Sequence, residues 1–219
     1  QENPSALIAV TGGGSGTGVA ALLNGTCDIA QSSREMSEKE HELARQKGLD
    51  VQELQVGIDA LAVIVHPSNP VRELTIDQLS GIFTGKIKNW KEVGGSDESI
   101  LVLSRERNSG THVYFLEEVV RKGNKGGEEE FAPPFLMMPS SQAIEQEVSD
   151  NHAAIGYFGL GYLNERVRAV GIFQAKRSAH VAPSVESALS GDYPLSRSLL
   201  FYLPRMPQGM VKKIVDFVL

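Results

Sequence analysis

Along the first fifty positions, apolar residues fall alternately into short continuous runs and into helical spacing. Leu7 to Thr11 is a short β-rich run, broken by the glycine cluster Gly12 to Gly18, after which Val19, Ala20, Leu22 and Leu23 recur on one helix face. Gly25 is expected to end that helix. Asp28 to Ser32 predicts a second short strand, and Ser37 with Glu40 forms the capping box of a helix that ends at Gly48. Strand, glycine loop, helix, strand, helix is the order of an α/β sheet.

The same reading carries through the rest of the chain. Val51 to Asp59 and Leu61 to Val65 predict two further strands, closed by His66-Pro67-Ser68-Asn69-Pro70, a rigid change of direction. Thr75 with Gln78 is a second capping box and opens a helix over Ile76, Leu79, Ile82 and Phe83, which Gly85 ends. A Gly94-Gly95 turn precedes a strand from Ile100 to Leu103, and a helix from His112 to about Arg121 carries Val113, Leu116, Val119 and Val120 on one face. Lys122 to Glu130 is charged and glycine-rich, hence a solvated loop. Ser140-Ser141 opens a helix to Val148; Ala153 to Tyr157, Val167 to Ile172 and Leu199 to Leu203 are expected strands, and Val185 to Leu189 a short helix. Gln1-Glu2-Asn3-Pro4 reads as the end of a polar helix stopped before a proline, and Pro207 to Leu219 as an amphipathic helix that stops at Phe217-Val218-Leu219. Both ends are expected to be trimmed, and no signal-peptide pattern opens the chain.

Composition narrows the function classes. With 41% hydrophobic and 22% charged residues in 219, the chain is globular in type. No window approaches eighteen consecutive apolar residues. Lys plus Arg number 21 against 27 Asp plus Glu, a net charge of -6, so nucleic acid is a poor partner and any bound anion needs a local site. The single cysteine, Cys27, is expected to pack at a strand start. None of the five histidines pairs with another at metal-ligand spacing, and all are expected in loops or at the surface. Trp90 is expected to be a packing anchor and Glu128-Glu129-Glu130 a solvated charge run.

Two segments share one design: a strand, then small hydroxyl and glycine residues, then a helix start. These are Thr11-Gly12-Gly13-Gly14-Ser15-Gly16-Thr17-Gly18 and Arg105 through Thr111. Unpaired N-H groups at a helix start and partial positive charge suit a small anion, and glycine lets the backbone come close. Ser15, Ser109 and Thr111 add hydroxyl donors, while Arg105 adds a charged planar fork. Gln31-Ser32-Ser33-Arg34 offers two more hydroxyls and a second arginine at a strand end. A capped glycine turn of no function reads the same way for either loop taken alone. Nucleotide motifs fail: Thr17 stands where a third glycine would complete G-x-G-x-x-G, and Gly81 to Ile87 is one residue short of a phosphate-cradling P-loop. The glycine loop also lacks the last glycine of a nucleophile elbow, and no acid/base pair is apparent.

Taken in order, Thr11 to Gly18, Asn24-Gly25-Thr26-Cys27-Asp28-Ile29-Ala30, Ser32-Ser33-Arg34, His66 to Pro70, Phe83-Thr84-Gly85-Lys86-Ile87-Lys88-Asn89-Trp90, Ser109-Gly110-Thr111, Ala154-Ile155-Gly156-Tyr157 and Tyr193-Pro194-Leu195-Ser196-Arg197 closely resemble the phosphate-binding proteins of bacterial ABC phosphate importers. The resemblance runs from Pro4 to Leu219. It implies an α/β, two-lobed periplasmic-binding-protein fold of type II, each lobe a mixed sheet flanked by helices, with the ligand in the cleft between them. Lobe I would be residues 1-65 plus 196-219 and lobe II residues 66-195, with the N-terminal strand and helix of lobe I missing. The chain would cross between lobes at Leu61 to Pro67 and return near Leu199 to Leu203.

The resemblance further implies a non-enzymatic, extracytoplasmic receptor, periplasmic or on the cell surface, that binds inorganic phosphate and delivers it to an ABC-type permease. No cofactor or metal is implied. Ser15, Ser33, Arg105, Ser109, Gly110 and Thr111 map onto the phosphate contacts, with Gly14, Gly16 and Arg34 beside them. The family's first phosphate-contacting loop lies before Gln1. Many members carry aspartate where Ser33 stands, and a carboxylate there rejects fully ionised sulfate by setting an acceptor opposite an acceptor. A hydroxyl imposes no such penalty, so selectivity would be softer or rest on Glu106 or Asp28. The alternatives are a binding or sensor module for another oxyanion and an enzyme acting on a phosphorylated metabolite.

Overall fold

A computed structural model of the chain describes residues 7–124 and 126–219. The expected helix end at Gln1 to Pro4 lies outside the described residues. In chain order the elements are α1 (Ser15–Leu23), β1 (Ala30–Ser32), α2 (Glu38–Gln46), β2 (Gln52–Val65), β3 (Glu73–Leu74), α3 (Ile76–Phe83), β4 (Leu101–Arg105) and α4 (Gly110–Phe115). They continue with β5 (Phe135–Met138), α5 (Ser141–Asp150), β6 (Ala154–Gly159), β7 (Arg168–Ala169), β8 (Gly171–Gln174), β9 (Ala179–Val181), α6 (Val185–Leu189), β10 (Ser196–Leu203) and α7 (Gly209–Val218).

The chain divides into two compact units. One holds Gln1–Gly57, Asn108–Gly110 and Ser198–Leu219; the other holds Ile58–Arg107 and Thr111–Arg197. In the first unit β1 pairs antiparallel with β10, Ala30 opposite Tyr202 and Ser32 opposite Leu200. Val19, Leu22 and Leu23 of α1 and Ala44 of α2 bury against Leu200 and Tyr202. Tyr202 adds a polar tie, its hydroxyl accepting from the Met36 amide at 3.0 Å and donating to Glu53 at 2.6 Å. Val215 of α7 packs with Phe201 and Leu203 on the opposite face of β10.

The second unit is built on β2, whose residues Leu61 to Val65 pair antiparallel with Gly159 to Ile155 of β6. Strand β6 runs parallel to β4, and β4 parallel to β5. A separate small sheet orders β3, β8 and β9. Buried on both faces, Ala60 to Val65 of β2 read as an unbroken apolar run, as parallel and central strands do. Phe83, Phe115 and Tyr157 form the aromatic heart, with the Phe115 and Tyr157 rings stacked at 3.7 Å. Trp90 anchors a turn as expected: it is buried and its indole donates to the Ala153 carbonyl at 2.8 Å.

Both capping boxes form, Ser37 with Glu40 and Thr75 with Gln78, and Gly25, Gly48 and Gly85 take positive φ just past their helices. Four strand or helix expectations are corrected. Leu7 to Thr11 is not a strand: its backbone finds no pairing partner among the described residues, and Leu7, Ile8 and Val10 are exposed. Val51 to Asp59 and Leu61 to Val65 merge into β2, because the half-buried alternation of its first part passes into full burial at Ala60 without a break. Val167 to Ile172 splits into β7 and β8, which join different sheets. The helix expected from His112 starts at Gly110 and continues as a π-helical turn, Leu116–Val120. Strands β3, β5 and β9 had no expectation. Cys27 precedes β1 and packs at the edge of the α1 cluster, burial raising its thiol pKa with Asp28 adding to the rise.

Removing the Thr75 hydroxyl leaves the Gln78 amide at the start of α3 without its acceptor. Thr75→Ala is expected to lower unfolding free energy by about 1 kcal/mol, read from urea denaturation at constant slope; an unchanged midpoint would show the cap contributes nothing.

Candidate functional site

In the first unit three segments far apart in sequence come together around glycine. Gly14 caps α1 with extended backbone, and a Cβ there would lie 2.1 Å from the Asn108 carbonyl oxygen and 3.0 Å from the Ser109 nitrogen. No side chain fits in that gap. Gly110 is about as tight: a Cβ would meet the Ser15 hydroxyl at 2.2 Å and the Ser33 hydroxyl at 2.6 Å. Those hydroxyls face each other at 3.4 Å, and the Ser33 amide donates to Ser15 Oγ at 3.1 Å. Ser15 and Ser109 are buried. Ser15, Ser33, Ser109, Gly110 and Gly14 are therefore one cluster. Gly16 lies at its margin, a Cβ there standing 3.6 Å from both Asn108 O and Arg34 Nη2.

Arg34 is turned to a different task. Its two terminal nitrogens donate to the two Glu40 oxygens at 2.8 Å each, and Nη1 also donates to the Glu35 carbonyl at 2.7 Å. Burial works to raise the Glu40 pKa, yet the hydrogen bonds from Arg34 and from Ser37 outweigh it and hold the carboxyl below its ordinary value. The same carboxylate closes the capping box of α2. Asp28 and Glu106 are both exposed, so neither is a desolvated acceptor of the kind that would reject sulfate.

In the second unit Arg105 ends β4. Its Nη1 donates to Ser141 Oγ at 3.1 Å and its Nη2 to the Pro139 carbonyl at 3.3 Å, while Nε is buried without a hydrogen-bond partner among the described residues. The guanidinium is thus braced by the start of α5. Thr111, 7% exposed, accepts at Oγ1 from Arg197 Nη2 at 3.1 Å. Arg197 also donates through Nε and Nη2 to Asp59 Oδ2, at 3.1 and 2.8 Å. Burial lowers the Arg197 pKa and Asp59 opposes the shift, leaving the guanidinium charged.

His112 corrects the expectation that every histidine is superficial. It is buried, stacked on Phe131, with Nδ1 3.0 Å from Ser104 Oγ, which in turn lies 2.7 Å from the Tyr157 hydroxyl. Burial pushes its pKa below the ordinary value, assisted by Arg107 and opposed by the Arg105 backbone and Glu130. Ser141, Asp59 and Arg197 were not among the candidate residues. The legible trace was a lone arginine in the apolar run Ser196 to Leu203, and an aspartate just before the apolar run of β2.

The parallel and antiparallel strands, the flanking helices and the hydroxyl-glycine cluster define the two-lobed α/β class of binding proteins. The chain belongs to the PBP superfamily: the profile of the PBP superfamily domain matches residues 1–219. The phosphate-binding protein PstS of Pseudomonas aeruginosa is 33% identical over 217 residues, covering 93% of this chain and 65% of that protein. The phosphate-binding protein PstS of Bacillus subtilis is 32% identical over 222 residues, covering 100% of this chain and 67% of that protein. The chain thus spans about two thirds of the length of these curated relatives. A Clostridium perfringens protein described as a phosphate ABC transporter substrate-binding protein, solved with bound phosphate, superposes with a TM-score of 0.80 at 33% identity, covering 94% of this chain and 78% of that one. An ABC-type phosphate transport receptor from Vibrio cholerae gives 0.78 at 31% identity, covering 99% and 84%.

His112 makes stability depend on pH with a fixed sign. Its folded pKa is depressed, so between that value and the ordinary 6.5 the unfolded chain binds more protons. The contribution is complete above pH 6.5 and is lost as pH falls through the folded pKa. Chemical denaturation from pH 7.5 to 5 is expected to show this decline, and His112→Gln to flatten it; equal slopes in the two proteins would contradict the assignment.

Proposed function

We propose that this chain is the ligand-binding part of an extracytoplasmic phosphate receptor that captures inorganic phosphate and passes it to an ABC-type permease in the membrane. The observation that carries the reading is the meeting of the Ser15 and Ser33 hydroxyls over Gly110, where the absence of a side chain leaves neutral donors beside a bare backbone. Ser15, Ser33, Ser109 and Thr111 supply hydroxyls, Gly110 its amide and Arg105 the full positive charge. Gly14 and Gly16 keep the backbone close, and Arg34, engaged by Glu40, orders the α2 start behind Ser33. Supporting this are the relatives named as phosphate-binding proteins and the related structure solved with phosphate.

No catalytic role is assigned: the relatives are binding proteins, and hydroxyls with a guanidinium hold an oxyanion without a base to activate water. No helix among the described residues is long and apolar enough to cross a membrane.

Isothermal titration calorimetry with inorganic phosphate tests the reading, with sulfate as competitor. Saturable phosphate binding is expected, and sulfate that displaces it with equal affinity would point to a general oxyanion module instead. Arg105→Ala is expected to weaken phosphate binding at least tenfold, about 1.4 kcal/mol; an unchanged affinity removes Arg105 from the site.

Gly110→Ala places a methyl group where the Ser15 and Ser33 oxygens now stand. Phosphate binding by this variant is expected to fall by two orders of magnitude or more in the same titration. Retained affinity would show that the cluster lies away from the anion.

A further inference from the structure

Within the Tyr193 to Arg197 stretch, Arg197 is a buried cation with no role in the reading above. Its side chain is 6% exposed, and one Asp59 oxygen receives both Nε and Nη2. The Tyr114 ring lies 5.7 Å from its central carbon, and the Tyr114 hydroxyl donates to the neighbouring Ser196 carbonyl at 2.7 Å. Nη2 makes a second bond, to Thr111 Oγ1, and Nη1 is buried with no hydrogen-bond partner among the described residues.

The consequence follows from the donor inventory. A guanidinium only donates, so the Thr111 oxygen is the acceptor in this contact, and its single proton must go elsewhere. No protein acceptor takes that proton among the described residues. A threonine in a helix ordinarily divides between two χ1 rotamers, one of which back-bonds to the preceding turn. A cation on the oxygen selects one of them and strengthens the hydroxyl as a donor. Asp59, by receiving two of the arginine's donors, holds the guanidinium where it can do this.

We propose that Arg197, clamped by Asp59, is a positioning residue that fixes the Thr111 hydroxyl with its proton turned to an anionic ligand. The identity of that anion as phosphate rests on the function proposed above; the orientation of Thr111 does not. Arginine suits the task because Nε anchors it to Asp59 while Nη2 bridges Asp59 and Thr111; lysine, with one nitrogen, lacks the anchoring second bond that fixes the direction of the first.

The test combines two readouts on the full 219-residue chain. Phosphate titrations of Arg197→Met, Thr111→Val and the double variant are expected to show about tenfold loss for each single change. The double variant should lose about the same tenfold rather than the product. Should Arg197→Met fail to fold, Arg197→Lys replaces it with the same expectation. Separately, methyl-based scalar couplings in the ligand-free protein report the Thr111 χ1: a single rotamer is expected in the unaltered chain and averaging in the Arg197 variant. Multiplicative losses, no loss at Arg197, or a Thr111 rotamer that stays fixed without Arg197 would each overturn the proposal. If the unaltered chain binds no phosphate, the phosphate reading fails alone, and the rotamer measurement still decides the role of Arg197.

Discussion

Everything in the hydroxyl cluster depends on the lack of a side chain at Gly110. Two serine oxygens occupy the volume that a single methyl carbon would need, and the peptide on the far side of the same turn lies against Gly14, where Asn108 leaves equally little room. Backbone therefore meets backbone, and hydroxyls meet an open Cα. Close packing turns this into a demand on three separate places in the chain, since each glycine is the condition for the position of the next serine. The rest of the first unit supports that approach: α1 is fixed by Val19, Leu22 and Leu23 against β10, and β1 delivers Ser33 by pairing with the same strand.

The second unit supports its candidate residues from behind. Arg105 is braced by Ser141 and the Pro139 carbonyl, Thr111 by Arg197, which Asp59 holds, and Ser104, His112 and Tyr157 form a buried polar chain beside them. Buried polar groups of this kind are costly when half satisfied and rigid when complete. They fix a direction for each side chain, which apolar packing alone does not.

Local signals were legible and long-range ones were not. Capping boxes and C-terminal glycines concern residues three or four apart, so the starts of α2 and α3 and the ends of α1, α2 and α3 could be read from the chain. A strand exists only where a distant segment pairs with it. Leu7 to Thr11 has the right composition and no neighbour; Phe135 to Met138 leaves Leu136 and Met137 exposed and becomes a strand because β4 lies alongside. The same distinction runs through the site. Ser15, Ser109, Gly110 and Thr111 stand in motifs with a local grammar, whereas Arg197 and Asp59 are 138 residues apart. Arg34 reads as an anion ligand in the sequence, where its competitor, Glu40, is visible only as a helix cap.

That competitor has a further consequence. With Arg34 neutralised in a bidentate pair, the donors left around Ser15 and Ser33 are dipoles of the main chain and of hydroxyl groups. Mobile ions screen net charges over a Debye length but leave short-range dipolar contacts almost untouched. Donors of that kind would lose little of their pull in saline surroundings, leaving dependence on ionic strength to the charge of Arg105.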